Sequence, residues 1–478
     1  MKMLRQVIVL IPHQTVAVAA MIGISALLLA CDNGTAPSDC PLPKIVSSRV
    51  SLNAANVLSA RVTAKVKSAD SITVRFGLSA TALDSVTPAT ALTADSVDLP
   101  VLALSSATSY AARVVAFNQC GTSEGKTLSF TTNPLPKDLP TYAASGTAPS
   151  PGYVVFRAGM YGVAVNNSGR VVWYHQFAST PNISFQPQSN GRYVVHPVPS
   201  GDERAEWIEI DPNGDVTRTL KCGLGMESKV QDFFTMPDGS YWILCDEVRT
   251  VDLSAAGGPS ALKVLGNGVH HMSADGNVLF AWSPFDHIAV DMQSIDLNDR
   301  VGDAVNWTHA NGLDIDSDGN ILLSFRNISQ VIKINSQTGA VIWRMGGLRN
   351  EFTFENGATP PFVGQHAIRS NGPGKLIILD NLGDPNMSHA ERYEYDEAKH
   401  TARLVDSFAA PPGIVGRLGG STQTLPNGNT LVSFGNGGSV QEYDSSGRVV
   451  WQLDPAPGYV FRAIRIRSLY RPGVGDPR

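Results

Sequence analysis

Apolar and polar residues alternate over short runs from Lys44 to Thr132, as in Val62 to Val66, Ser71 to Phe76 and Tyr110 to Phe117. A period of two turns one face of each run toward a core, so these runs predict half-buried β-strands. Ahead of them, residues 31–43 read as a tether, small and polar over 32–40. Behind them, residues 133–140 carry three prolines and mark a linker.

Beyond the linker two short patterns recur. The first is a polar turn with glycine followed by an apolar strand ending in an aromatic: Asn166 to Trp173, Gln337 to Trp343, Ser445 to Trp451 and, more loosely, Ala274 to Phe280. The second is a turn such as Pro237-Asp238-Gly239-Ser240, Ser317-Asp318-Gly319-Asn320 or Pro426-Asn427-Gly428-Asn429, each followed by an apolar strand, with partial copies at Ser189-Asn190-Gly191 and Ser370-Asn371-Gly372. Glycine suits turn positions with positive φ, and β-branched neighbours suit half-buried strands. Where they are consecutive, as from Gly191 to Gly239 and from Gly319 through Gly372 to Gly428, copies of the second pattern lie roughly 50 residues apart, close to the length of one propeller blade. The repeats therefore predict an all-β chain whose residues 141–478 form a six-bladed β-propeller, with Val460 to Tyr470 closing the ring against the first blade. A two-sheet β-sandwich is the other all-β solution, and it does not account for the repeats.

The N-terminus adds an address. Lys2 and Arg5 precede an apolar stretch from Thr15 to Ala30 that ends on Leu28-Leu29-Ala30-Cys31. That is the layout of a secretory signal, and the small residue before a cysteine resembles a lipobox. Residues 1–30 are expected to be a signal peptide and Cys31 the lipidated first residue of the mature chain. An ordinary cleaved signal that contains a cysteine and an uncleaved anchor are the alternatives, although the run is short of the roughly 20 residues that a full span needs. The expected location is the cell envelope, lipid-anchored on the periplasmic face of either membrane or at the cell surface. Cys40, Cys120, Cys222 and Cys245 follow, an even number in an oxidising compartment. Cys40 with Cys120 and Cys222 with Cys245 is the expected pairing, with free buried thiols as the alternative.

Length and charge narrow the class. The roughly 450 residues after the signal exceed a single core, which stops growing at about 250 to 300 residues, so two domains are expected. Net charge is −5 and no Lys/Arg cluster occurs in the mature chain, which argues against nucleic acid as a partner. Leu104 to Tyr110, Arg113 to Asn118 and Ser129 to Thr132 resemble a fibronectin type III domain with Tyr110 as its corner tyrosine. That resemblance implies that residues 44–132 are a spacer without chemistry.

The chain has 10 histidines, and two of them repeat a position. His309 opens a strand just before the Ser317-Asp318-Gly319-Asn320 turn, the following strand from Ile321 to Phe325 delivers Arg326, and His366 opens the next blade as His309 opens its own. Equivalent positions in a ring face one axis, so two imidazoles and a guanidinium should converge there. Taken singly, either histidine would more often be a satisfied core residue.

The run from His309 to Gly347, with Phe280 to His287 before it and Gln365-His366, Leu379-Asp380-Asn381, Gln423 to Gly435 and Phe461-Arg462-Ala463 after it, resembles the aryl-sulfate sulfotransferase family. The resemblance covers most of residues 150–470. It implies a six-bladed propeller that moves a sulfuryl group from an aryl sulfate to a phenol without a nucleotide sulfate donor, and it implies no cofactor. Carried over by residue, it makes His366 the nucleophile that becomes a sulfohistidine, with His309 and Arg326 gripping the sulfuryl oxygens. Gln231, Asn381 and Arg462 are the expected substrate contacts. A neutral imidazole is a good nucleophile and a phenolate leaves readily. Fixed cationic donors suit charge spread over the oxygens of the transferred group. No metal-ligand spacing is visible, so no metal is expected in the chemistry.

One position departs from the family. Where a further histidine commonly opens an earlier blade, this chain reads Val230-Gln231-Asp232-Phe233. A glutamine amide donates a hydrogen bond but carries no charge and passes no proton. A non-catalytic, lipid-anchored propeller that binds or scaffolds is therefore the rival reading. His270 and His271 are expected to face away from the axis, and His287 to be structural. Asp314, Asp316 and Asp318 are expected to be solvated turn acids rather than a calcium loop.

Overall fold

The computed structural model describes residues 40–177, 184–197, 206–356 and 361–478. Cys31 and the signal stretch lie outside these residues. The described chain is all-β: its only helical pieces are two short 3-10 turns, Ser254–Ala256 and Pro284–Asp286.

Residues 44–131 form two facing antiparallel sheets. One pairs Lys44–Leu52, Ala60–Lys67 and Ser96–Val101; the other is built on Ser71–Gly77 and Ser109–Asn118. The alternation read in the sequence is the inward face of these strands, where Val62, Ala64, Val66, Ile72, Val74, Val114 and Ala116 form one core. The Tyr110 hydroxyl accepts a hydrogen bond from the Ser105 amide at 2.9 Å and its ring stacks on Phe130. This unit is docked on the rest of the chain. The amide of Val57 donates to the Tyr174 hydroxyl and that of Leu102 to the Tyr470 hydroxyl, while Val57 and Leu58 enter a core shared with Val154 and Phe156.

The remainder is propeller-like. Among the described residues it holds six antiparallel sheets, each a meander of four main strands. The first sheet borrows one of its strands from the C-terminal end: Ala463–Ile466 pairs with Tyr153–Ala158, which continues through Tyr161–Val165 to Val171–Gln176. The others begin, in chain order, with Phe185–Pro187, Glu227–Thr235, Ala310–Ile315, His366–Ser370 and Ser421–Thr424. Apolar clusters join the first sheet to the second, the second to the third and so on to the sixth, which packs back on the first. Both faces of a sheet are thus covered, which is why strands such as Ile321–Phe325 and Gln330–Ile334 are buried at every residue instead of alternating.

The two recurrent patterns have distinct places in this circuit. The second is the turn between the first and second strands of a sheet, closed by bonds such as Met236 to Ser240 and Asp316 to Asn320. The first is the turn between the third and fourth strands, and its terminal tryptophan reaches the neighbouring sheet. The indole of Trp173 donates to the Pro212 carbonyl at 2.9 Å, that of Trp343 to Glu397 at 3.1 Å, and that of Trp451 to the Asn167 carbonyl at 3.0 Å. Trp451 therefore ties the sixth sheet to the first turn of the same pattern. At that turn Gly169 has φ +85°, and a Cβ there would collide with the Ala143 backbone.

The closing tryptophan should carry a large share of local stability. Trp451→Ala is expected to lower the unfolding free energy by about 3–5 kcal/mol, whereas Val449→Ala, at a side chain exposed on the same strand, should stay within about 0.5 kcal/mol. Denaturant unfolding of both variants measures the contrast, and equal losses would show that the indole is not a fastener between sheets.

Candidate functional site

The first strands of the sheets are linked side chain to backbone around their circuit. Gln188 accepts from the Thr235 amide, Asp232 from the Leu313 amide, Asp314 from the Ser370 amide, and Gln423 from the Arg465 amide, while Thr422 donates to the Ala367 carbonyl. At one end of these strands the pairing is interrupted by extra residues. Ala310 pairs with Phe325 but Gly312 with Ser324, His366 with Leu379 but Arg369 with Ile377, and Ser228 with Cys245 but Phe233 with Ile243. Bulges re-aim side chains out of the alternating ladder. His309 has φ +49° and Ala367 φ +56°, left-handed values that non-glycine residues adopt at a price in strain. Both sit where a histidine opens a strand.

The bulged ends bring His309, Arg326 and His366 together. The amide of Arg326 donates to the His309 carbonyl at 3.1 Å. Its guanidinium donates to Asn327 Oδ1 at 3.1 Å and reaches the Arg417 carbonyl at 3.4 Å, in the loop that also covers His366. His309 Nδ1 lies 2.8 Å from the Asn306 amide nitrogen, and Asn306 and Asn327 both donate to Asp299. His366 is 2% exposed. Its Nδ1 lies 2.8 Å from Asn381 Oδ1, and its Nε2 accepts from the Gly419 amide at 3.2 Å. These partners favour the tautomer with the proton on Nδ1 and the lone pair on Nε2. Asn381 Nδ2 donates to the carbonyls of Gly416 and Gly419, so one amide orients the ring and the loop above it.

Electrostatics keep both rings neutral. Burial pushes His366 down to about 3; the Asn381 bond opposes this, and the charges of Arg462 and Arg326 add to it. Burial also holds His309 well below its ordinary value, reinforced by the positive charges of Lys229 and Arg326. Burial lowers Arg326 as well. The arrangement is two neutral imidazoles in a field of fixed cations, suited to an anion and to nucleophilic attack by a nitrogen lone pair.

The other expected residues are placed differently. Arg462 is fully buried, donating to the carbonyls of Gly420, Asn311 and Gln231 and lying 3.6 Å from Asp232, so it braces strands instead of presenting its fork. Asn381 is likewise committed to the ring and the loop. Gln231 is buried beside Arg462, and its Oε1 has no partner among the described residues. His270 and His271 lie on Leu262–Met272, the third strand of their sheet, where His270 accepts from the Gly223 amide and His271 stacks on Trp242. His287 stacks on Trp282. Cys222 and Cys245 form a disulfide, and Cys40 and Cys120 are disulfide-bonded too. A cluster of Cys222, Cys245 and His270 has ligand spacing, but its sulfurs are joined to each other.

Two acids correct the reading of solvated turns. Asp314 and Asp316 are buried; Asp314 pairs with Arg478 at 2.6 Å and Asp316 with Lys333 at 2.9 Å. Only Asp318 keeps substantial exposure. The cations that draw these acids inward stand far away or on another strand, beyond the reach of a local pattern. Lys229, Asp232, Asn306 and Gly419 were also missed, because nothing local marks a bulge or a covering loop.

The arylsulfotransferase (ASST) family profile matches residues 229–456. That span runs from the bulge before Phe233 through both histidines and Arg326 to the end of the sixth sheet. No curated protein matches the chain. Among solved structures the chain is similar to a protein of unknown function from Bacteroides caccae, at 15% identity, TM-score 0.43, over 67% of this chain and 100% of that one. A streptogramin B lyase is similar at 13% identity, TM-score 0.37, over 65% and 82% of the two chains. At that level of similarity no residue role carries over.

The lowered His366 gives a stability signature. Its folded value of about 3 lies below the ordinary 6.5, so between those values the unfolded chain binds a proton that the folded chain does not. Unfolding free energy should therefore fall as pH drops through that window. His366→Asn should lose less stability than the wild type between pH 7 and pH 4 in denaturant titrations. Parallel losses would mean that the ring is protonated in the folded state.

Proposed function

We infer that this chain, an arylsulfotransferase family member over residues 229–456, moves a sulfuryl group from an aryl sulfate ester to a phenol through His366. The observation that carries the reading is the neutral, oriented imidazole of His366, with its Nε2 lone pair directed away from Asn381 and toward a covering glycine loop. In the first step Nε2 attacks sulfur, an N–S bond forms, and the S–O bond breaks with its electron pair leaving on the donor phenolate. The imidazole then carries positive charge, which the Nδ1–H bond to Asn381 disperses. In the second step the oxygen of an acceptor phenol attacks sulfur, the N–S pair returns to Nε2, and the proton lost by the acceptor balances the one gained by the donor phenolate. Arg326 and His309 hold the sulfuryl oxygens. The Gly419 amide must leave Nε2 for attack, and it is then placed to donate to the transferred group.

Beside Asn327 lies a cavity of about 760 Å³ lined by Trp307, Ile328, Leu348, Phe352 and Phe354. Those apolar walls would suit a phenyl group, and Gln293, Asp296, Gln330 and Arg349 in the same lining would meet its polar substituents.

The wider reading places this chemistry on a six-bladed propeller, one blade per sheet, held off a membrane by a fibronectin type III-like spacer and a lipid on Cys31. A tethered enzyme outside the cytoplasm lacks nucleotide-activated sulfate, and donor esters met in the envelope suit that location. The rival, a binding or scaffold propeller without turnover, draws on the uncharged Gln231 and on the cover over His366.

Full-length protein in detergent, given a chromogenic aryl sulfate with and without phenol, separates these readings. Phenol-dependent release is expected, falling by at least about a thousandfold in His366→Asn. Release that survives the substitution would remove His366 from the chemistry, and no release from a broad panel of esters would favour the binding protein.

A further inference from the structure

We propose that Lys229 is an anion-binding residue of this site, its ammonium supplying the positive charge that Gln231 cannot. The proposal rests on the sulfuryl-transfer reading and names a residue which that reading did not contain.

Lys229 lies in the stretch between Ser228 and Phe233 that leaves the strand ladder, together with Gln231 and Asp232. Its side chain is 3% exposed, yet among the described residues its ammonium makes no hydrogen bond. The nearest carboxylate oxygen, on Asp246, is 3.8 Å away, outside hydrogen-bond range. Asp246 is already engaged by the Asn267 amide at 2.6 Å. Asn267 in turn accepts from the Thr308 hydroxyl at 2.9 Å and the Ala310 amide at 2.8 Å, the two residues that flank His309. The ammonium thus stands beside the strained turn that presents His309, and its charge is felt on that ring.

Lys333 shows what a structural buried lysine looks like in this fold. It is equally buried, and its ammonium meets Asp316 at 2.9 Å, Asp318 at 2.7 Å and Glu397 at 2.7 Å. An ammonium without such partners at so buried a side chain is unfavourable unless water or an anion completes it, and a site that holds anions supplies the latter. Arg462 and Arg369 do not compete for that anion, because Arg369 pairs with Asp232 and Arg462 is committed to the carbonyls of Gly420, Asn311 and Gln231. A lysine point charge is a common partner for tetrahedral oxyanions, and the group transferred here is one.

Inorganic sulfate is the probe, with sodium chloride at matched ionic strength as the control. Sulfate should raise Tm of the wild type and of Lys229→Arg by a few degrees, and the rise should vanish in Lys229→Met. Without sulfate, Lys229→Met should melt at or above the wild-type temperature, since a buried charge has been removed; a purely structural pair with Asp246 would make it melt lower. With an aryl sulfate, kcat/KM of Lys229→Met should fall by about tenfold to a hundredfold, and adding Gln231→His should recover about tenfold. A Lys229→Met protein that keeps the sulfate shift, or melts well below the wild type, overturns the proposal. So does an active wild type whose kcat/KM the variant matches, and the transfer reading then survives. A sulfate shift that depends on Lys229 in a protein inert to every ester upholds the anion site and overturns the transfer reading.

Discussion

The carboxylate of Asp232 is the constraint on which the site depends. It is buried, accepts the Leu313 amide at 2.9 Å, pairs with Arg369 at 2.9 Å and lies 3.6 Å from Arg462. Leu313 and Arg369 belong to the first strands of the fourth and fifth sheets, and Arg462 precedes the strand that closes the first. One charge therefore ties four sheets where their first strands meet. Burial opposes its ionisation, and the two arginines outweigh burial and hold it below the usual carboxylate range. Removing Asp232 would leave two arginines charged without their carboxylate in a dry interior, a far larger loss than the pair itself contributes.

With Asp232 consuming two guanidinium groups, the cations left for chemistry are few and specific. Arg326 and Lys229 are felt at the imidazoles; the nearest carboxylate oxygen to Lys229 is 3.8 Å away on Asp246, and Asp299 acts on Arg326. A low-dielectric pocket that holds positive charge beside neutral rings favours a bound anion. It also keeps a histidine lone pair available at any pH well above 3. The neutral partner Asn381 serves the same end, since a carboxylate in its place would stabilise the imidazolium and withdraw that lone pair. The surrounding fold supplies rigidity: each sheet is packed on both faces, and tryptophans such as Trp173, Trp343 and Trp451 pin each sheet to the next.

Much of this frame was legible in the sequence because it is local and repeated. A glycine turn followed by an apolar strand ending in tryptophan needs only neighbouring residues to be recognised, and its recurrence marks equivalent places in successive sheets. For the same reason the sequence alone groups His309, Arg326 and His366, as each lies at a strand end beside a recurring turn. Asp314 and Asp316 were misjudged for the opposite reason. Turn acids are usually solvated, and here Arg478 and Lys333 arrive from elsewhere in the chain to bury them. Asn381 and Arg462 are expected from the sequence as substrate contacts, but they act as braces, bonded to backbone groups 35 to 231 residues distant in sequence that no local pattern reveals.

The sequence by itself thus determined the repeating strand-and-turn unit, the all-β class and the chemical inventory: histidines and an arginine at matching positions, and glutamine where a histidine was expected. The unit, the class and the matching positions follow from periodicity and residue type, which are properties of short windows; the glutamine is a departure only against the pattern that the family resemblance implies. The tertiary structure decided which nitrogen of His366 carries the lone pair, which cations are already paired, and that Lys229, unremarkable beside Gln231 in the linear chain, is buried within a bulge. Such outcomes depend on burial and on partners brought from distant strands, and charge in a low-dielectric interior takes its value from those partners.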